Sequence, residues 1–177
     1  MVLVLPNNKE KQTIAVGMGE MVVTSDPQTE LICMGLGSCI AVCAYIPRRR
    51  IGAMAHVVLP TAPTATTGDP TARYADQAIP LLVTQLRQQG VAVRNARIVL
   101  CGGAAIFPPM RNSLDIGARN LEQVLVELTR HSLTPVMSEV GSTVSRTITL
   151  QVATGIVNIR SVKGNVQVSA DLSASQV

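Results

Sequence analysis

The chain has 177 residues, of which 47% are hydrophobic and 15% charged, with a net charge of +4. This length suits one domain, and with only 2% aromatic residues the core must be built from Val, Ile, Leu, Ala and Met. Apart from Arg48-Arg49-Arg50 the basic residues are scattered. The composition therefore argues against a nucleic-acid partner and favours weak attraction to acidic protein surfaces.

The chain start predicts a strand rather than a targeting segment. Met1–Leu5 is short and Pro6-Asn7-Asn8 interrupts it, so no signal peptide is visible. The uncharged run Leu31–Pro47 contains Gly35 and Gly37 and falls short of the ~20 apolar residues of a membrane span. The sequence therefore predicts a soluble, cytoplasmic protein without membrane insertion.

Short apolar runs separated by turn residues predict several strands in the first third of the chain. The first three are expected at Met1–Leu5, Thr13–Val16 and Met21–Thr24. Two longer runs, Ile40–Ile46 and Ile51–Leu59, flank a proline and three arginines, and this pattern predicts a hairpin of buried strands.

Beyond the Thr/Pro/Ala-rich segment 60–71, apolar residues twice follow helical spacing. One helix is predicted from Ala75 to a stop at Gly90, and a second at Gly117–Arg130. The remaining strands are predicted at Arg97–Cys101, Leu133–Val140, Thr147–Val152 and Gly155–Arg160. These elements predict an α/β (α+β) fold over residues 1–163, with mixed or antiparallel sheets packed as a sandwich and flanked by two main helices, followed by a flexible tail at 164–177.

The cysteines indicate free thiols rather than a metal site. Cys33, Cys39, Cys43 and Cys101 form no Cys-x-x-Cys pair, and disulfides are disfavoured in a reducing cytoplasm. We expect Cys43 and Cys101 to be core residues, and no metal or other cofactor is predicted.

The hairpin brings Cys39 and His56 to one face in both registers considered. If Ile46 pairs with Ile51, the two become diagonal neighbours, with ~7–8 Å between their α-carbons. If Pro47-Arg48 forms the tip, Cys39 faces His56 directly. A neighbouring imidazolium would stabilise the Cys39 thiolate, and the pair could then attack a carbonyl carbon.

The small residues before Cys39 fit this chemistry. Gly35, Gly37 and Ser38 leave room for a substrate to approach the sulfur, and their backbone N–H groups could hold an oxyanion. The alternative interpretation is a tight turn into a buried strand, with Cys39 inert.

The segment GLGSCIAVCAYIPRRRIGAMAHVVLP, at 35–60, resembles the signature of the CheD family, the chemoreceptor glutamine deamidases of bacterial and archaeal chemotaxis. The resemblance extends over about residues 12–163. It continues through RYADQAIPLL (73–82), CGGAAIF (101–107), IGARN (116–120) and EVGSTVSRTITLQVATGIVNIR (139–160).

This resemblance implies an enzyme that hydrolyses particular receptor glutamines to glutamate and ammonia. It implies Cys39 as nucleophile, His56 as general acid/base, a fold like the catalytic domain of the cytotoxic necrotizing factor toxins, and the phosphatase CheC as a partner besides the receptors. The family has a catalytic threonine six positions before the cysteine, where this chain has Cys33. A thiol is a poorer hydrogen-bond partner than a hydroxyl. Activity falls if that side chain orients His56, and little changes if a backbone carbonyl does so.

Three functions therefore compete at the level of the sequence. The first is a receptor-glutamine deamidase. The second is a weakly active or inactive binding module that docks CheC or receptors. The third is another Cys–His acyl hydrolase acting on other proteins.

Overall fold

The computed structural model describes residues 2–4, 12–64, 68–106 and 115–169. They form three layers, in which a central sheet lies between a second sheet and two α-helices. The central sheet consists, in spatial order, of β1 (Val2–Val4), β3 (Met21–Thr24), β6 (Ile51–Val57), β5 (Ile40–Ile46), β7 (Arg97–Gly102) and β8 (Pro135–Val140). The outer sheet consists of β11 (Gly164–Ser169), β10 (Ile156–Ser161), β9 (Arg146–Gln151), β4 (Thr29–Leu36) and β2 (Gln12–Ala15). The helices are α1 (Ala75–Gln88) and α2 (Ile116–Arg130).

Both sheets are mixed. In the central sheet β1 runs parallel to β3 and β7 parallel to β8, whereas β3, β6, β5 and β7 are successively antiparallel. In the outer sheet β2 runs parallel to β4, and the other neighbours are antiparallel. The predicted α+β class, with two packed sheets and two helices, is confirmed.

The central sheet is buried on both faces, which explains the continuous apolar runs of β5 and β6. Side chains alternate along β5: Val42 and Ala44 pack toward the helices, and Ala41 and Cys43 pack toward the outer sheet. The molecule therefore has two apolar layers, one on each side of the central sheet. Cys43 and Cys101 both lie in the layer between the sheets, as predicted.

Most predicted elements lie within two residues of the observed ones. β3 and β5 have the predicted bounds, and α2 begins one residue earlier than expected, at Ile116. No helix in the described ranges is long and apolar enough to cross a bilayer.

One strand was missed because both of its faces carry apolar residues. In β4, Leu31 and Cys33 are buried while Ile32 and Met34 point the other way, so the period-two pattern is blurred. Gly35 ends the regular pairing: its φ of 64° is left-handed, and the register with β9 shifts between Cys33 and Leu36.

The structure also corrects the start of the predicted tail. Residues 164–169 form β11, which pairs with β10 along its whole length. This short, exposed edge strand is held by main-chain hydrogen bonds, and Val166 and Val168 alone give only a weak apolar signal in the sequence. Residues 170–177 lie outside the described residues, and the single domain over 1–163 stays a prediction.

The buried thiols should make the fold sensitive to alkaline pH. Burial raises the pKa of the Cys43 thiol to about 12, against about 8.5 in an unfolded chain. The folded state thus holds this proton more tightly, so the stability that it contributes is complete below the unfolded value and is lost as pH rises through the folded value. The free energy of unfolding should fall by about 1.4 kcal/mol per pH unit above ~8.5 for this thiol.

Urea unfolding of the wild type and Cys43→Val between neutral and alkaline pH, under reducing conditions, would measure this effect. Valine has a similar size and does not titrate, so its curve should fall less steeply. Parallel curves for the two proteins would contradict the prediction.

Candidate active site

Cys39 directly precedes β5 and contacts the apolar layer between the two sheets. The observed register pairs Ile46 with Ile51 and Ala41 with His56, which is the first of the two predicted registers. Cys39 is two residues from Ala41 and packs, half-buried, against the apolar layer that Ala41 enters. Cys39 and His56 therefore occupy diagonal positions on the face directed toward the outer sheet.

His56 is oriented by a backbone carbonyl from the outer sheet. Its ring Nδ1 lies 3.1 Å from the oxygen of Val16, the residue after β2. Because a carbonyl only accepts, Nδ1 carries the proton in this contact, and Nε2 of the neutral ring has the free lone pair. The main chain of His56 is fixed as well, since it donates to Glu20 O and accepts from Gly19 N.

Cys33 contacts the same carbonyl. Its Sγ lies 3.5 Å from Val16 O, and the side chain is fully buried between the sheets. At this position the side chain reaches the group that orients His56 rather than the imidazole itself. Residue 33 therefore acts on the ring only indirectly, through the Val16 carbonyl.

The three small residues before Cys39 differ in their surroundings. Gly35 has open space where a Cβ would lie, and its N–H is 3.4 Å from Thr147 Oγ1. A Cβ on Gly37 would lie 2.6 Å from Cδ1 of Ile106, so Ile106 uses the space that this glycine leaves. The N–H groups of Ser38 and Cys39 donate to no other residue of the described chain.

Burial dominates the electrostatics of the nucleophile candidate. Burial raises the pKa of the Cys39 thiol, and its own backbone N–H and the Arg73 guanidinium offset part of that rise. Arg73 lies next to the hairpin end, because its carbonyl accepts from the N–H groups of Val58 and Leu59. It is the one cation that acts on this sulfur among the described residues.

His56 is shifted in the opposite direction. Burial lowers the pKa of the imidazole, while the hydrogen bond to Val16 and the carboxylate of Glu20 raise it in part. Within the described residues no hydrogen bond joins Cys39 and His56. The two shifts favour a neutral thiol beside a neutral imidazole, rather than the thiolate–imidazolium pair expected from the sequence.

Three groups at this site were given no role in the sequence analysis. They are the Val16 carbonyl, Arg73 and Asn120 of α2, whose amide hydrogen-bonds Ser38 O and Val58 O. Arg73 and Asn120 fall within the quoted motifs RYADQAIPLL and IGARN, but nothing in those motifs indicates which atoms they reach. No group of three or more potential metal ligands occurs in the described ranges.

Comparisons with known proteins assign this chain to a family. The family described as "CheD chemotactic sensory transduction" matches residues 58–161. A protein of Desulfitobacterium hafniense named "Probable chemoreceptor glutamine deamidase CheD" is 42% identical over 154 residues, covering 84% of this chain and 93% of the relative. The "Chemoreceptor glutamine deamidase CheD" of Thermotoga maritima is 35% identical over 152 residues, covering 86% and 94%. The chain belongs to the CheD family.

The solved structures add little. A crystal structure of the Bacillus licheniformis hypothetical protein YfiH matches 78% of this chain and 62% of that protein, with 11% identity and a TM-score of 0.42. That similarity carries no argument about the site. The predicted likeness to the cytotoxic necrotizing factor catalytic domain stays a prediction.

Replacing Arg73 should change the titration of Cys39. Arg73→Gln removes the cation that lowers the pKa of this thiol, so the alkylation midpoint should move to higher pH, whereas Arg73→Lys should stay close to the wild type. The measurement is the pH dependence of iodoacetamide labelling at Cys39, read by peptide mass spectrometry. Cys39→Ala gives the background from the other thiols. A midpoint that stays in place or falls in Arg73→Gln would show that the guanidinium does not act on the sulfur.

Proposed function

We propose that this protein is a protein-glutamine deamidase that converts particular chemoreceptor glutamines to glutamate with release of ammonia. The observation that carries the proposal is the β5–β6 register, which puts His56 and the half-buried Cys39 on one face, toward the layer between the sheets. The names of the relatives support the substrate class. The chemistry needs no cofactor, because a thiol, an imidazole and water supply every atom exchanged.

In the first half of the reaction, Cys39 attacks the carboxamide carbon. His56 Nε2 takes the thiol proton as the C–S bond forms, which suits a pair whose members are neutral at rest. The imidazolium then gives its proton to the amide nitrogen, the C–N bond breaks and ammonia leaves. A thioester between Cys39 and the substrate side chain remains.

In the second half, water replaces the sulfur. His56, again neutral, takes a proton from the attacking water, and the tetrahedral intermediate collapses to the carboxylic acid with Cys39 as leaving group. The proton returns to the sulfur and the product ionises to glutamate. The Val16 carbonyl keeps Nδ1 protonated through both halves, so that Nε2 does the proton transfer.

The oxyanion formed in each half needs donors that are fixed in advance. The N–H groups of Ser38 and Cys39 have no acceptor elsewhere in the described chain, and both lie beside the sulfur. We assign them this role in preference to the N–H of Gly35, which contacts Thr147. Fixed donors of this kind are among the largest contributions in acyl transfer.

A receptor would present its glutamine from the surface of a helical bundle. A primary carboxamide on a long side chain can reach the partly exposed Cys39 while the helix stays outside. Met18, 68% exposed in the turn between β2 and β3, is the apolar side chain next to the segment that holds His56. It offers such a helix an adaptable apolar contact.

Incubation of a receptor cytoplasmic fragment with this protein tests the proposal. The wild type should convert specific glutamines to glutamate, read as the corresponding mass change in receptor peptides, and Cys39→Ala and His56→Gln should not. Because burial lowers the pKa of His56, its base form persists to lower pH than in an ordinary histidine. The loss of kcat/KM on the acid side of the pH profile should therefore have its midpoint below pH ~6.5. Unchanged receptor peptides after incubation with the wild type would refute the proposal, and ammonia release from unrelated glutamine peptides would indicate the broader acyl hydrolase.

A second candidate is a binding module that docks the phosphatase CheC or the receptors and has weak catalysis. Two observations favour it: Cys33 stands where the family has threonine, and no hydrogen bond joins Cys39 to His56 within the described residues. In that case binding should survive Cys39→Ala. The two candidates differ in what residue 33 does.

Cys33→Thr separates them. If the deamidase proposal holds, the Val16 carbonyl already orients His56, so the variant's kcat should stay within about threefold of the wild type. A rise of about tenfold or more would mean that the thiol limits catalysis, which favours the binding module. Cys33→Val, which removes the donor to Val16 and keeps the volume, is the matched control.

A further inference from the structure

Asn120 is the buried side chain that joins the two strand ends of the candidate site. It lies in the second turn of α2, fully buried, and its Nδ2 is 2.9 Å from Ser38 O and 2.9 Å from Val58 O. Ser38 directly precedes Cys39, and Val58 follows His56 by two residues. One amide group thus connects the segment with the sulfur to the strand with the imidazole.

The Asn120 amide lies just beyond the point where the pairing of β5 with β6 ends. The last residue pair between β5 and β6 is Ile40 with Val57, so the next position would set Cys39 opposite Val58. No other described residue donates to Ser38 O or Val58 O. Asn120 therefore supplies, from a helix, the connection that the two strands no longer make.

The orientation of the amide is fixed by its partners. Both are carbonyl oxygens, which only accept, so the nitrogen must face them and Oδ1 must face away. Oδ1 is buried and has no partner among the described residues. A carboxylate at this position could not donate both bonds, and an apolar side chain could donate neither.

Because the peptide bond is planar, the contact between Asn120 and Ser38 O also fixes the direction of an oxyanion donor. The C=O of Ser38 and the N–H of Cys39 belong to one trans peptide unit and point in opposite directions. Holding Ser38 O toward α2 therefore aims the Cys39 N–H away from α2. The neighbouring units are held by main-chain donors, since Ala104 N binds Gly37 O at 2.7 Å and Gly103 N binds Cys39 O at 2.8 Å.

Of these three consecutive peptide units, the middle one depends on a side chain. The geometry points to Asn120 as a positioning residue that fixes the Ser38–Cys39 peptide, aims the Cys39 N–H at the oxyanion and ties the sulfur to the strand end of His56. This inference rests on the deamidase proposal for the identity of the oxyanion. The placement of the peptide unit is independent of it.

Asn120→Ala tests the role, because the smaller side chain removes both bonds and leaves room for water at the two carbonyls. With an oxyanion donor misaligned, kcat for receptor deamidation should fall by about tenfold or more, while KM stays within about threefold. The alkylation rate of Cys39 well above its pH midpoint should stay within about twofold, since alkylation of the thiolate forms no oxyanion. The midpoint itself should move to higher pH, because the Cys39 N–H that lowers the pKa of this thiol is misaligned. Asn120→Ser, which can still donate one bond, should be intermediate.

Gln123→Ala is the matched control on the same helix. Gln123 donates to Glu127 and, among the described residues, makes no hydrogen bond to either strand end, so this variant should keep the wild-type kcat at a temperature where all the proteins are folded. An equal loss in Gln123→Ala, a kcat of Asn120→Ala within about threefold of the wild type, or a high-pH alkylation rate that falls in parallel with kcat would each overturn the positioning role.

Amide NMR of labelled protein separates this inference from the proposed function. The Cys39 amide should give one sharp signal in the wild type and Gln123→Ala, and a broadened or multiple signal in Asn120→Ala. If the wild type deamidates no receptor but these signals change as stated, the proposed function fails and the placement of the peptide unit stands. An unchanged Cys39 signal in Asn120→Ala would overturn the placement itself.

Discussion

The antiparallel pairing of β5 with β6 is the constraint on which the candidate site depends. Because side chains alternate along a strand, a slip of one residue in this hairpin would move His56 to the helix side of the central sheet and leave Cys39 facing the outer sheet. The pairing of Ile46 with Ile51 fixes the register at the tip. Burial of both faces enforces it, since a slipped hairpin would have to move a polar ring into the apolar layer under the helices.

The outer sheet and the helices supply the hydrogen bonds that hold the hairpin residues of the candidate site in place. From one side, the Val16 carbonyl accepts hydrogen bonds from Nδ1 of His56 and from Sγ of Cys33. From the other side, α2 inserts Asn120 between the two strand ends. All three layers therefore contribute to the candidate site, although the proposed nucleophile and base lie on the hairpin of the central sheet.

The electrostatic state of the pair changes how its chemistry is understood. An ion pair formed at rest would make Cys39 reactive toward any small electrophile. Burial instead favours the neutral forms of both groups, so in the proposed mechanism the sulfur is activated only when a substrate arrives and His56 takes its proton. Such a resting state suits an enzyme that must spare most of the proteins that it meets and act on a few glutamines.

The sequence by itself determined the local elements and the hairpin. Apolar periodicity and turn residues located the strands β3 and β5 and both helices, and both hairpin registers considered put Cys39 and His56 on one face. Only the tertiary structure decided which groups orient them. The bonds from His56 to Val16 and from Asn120 to Val58 and Ser38 span 40, 62 and 82 residues, and no local pattern encodes a partner at that distance. The same reason explains β4 and β11, whose pairing in the sheet is fixed by main-chain hydrogen bonds and leaves the side-chain pattern blurred in one and polar in the other.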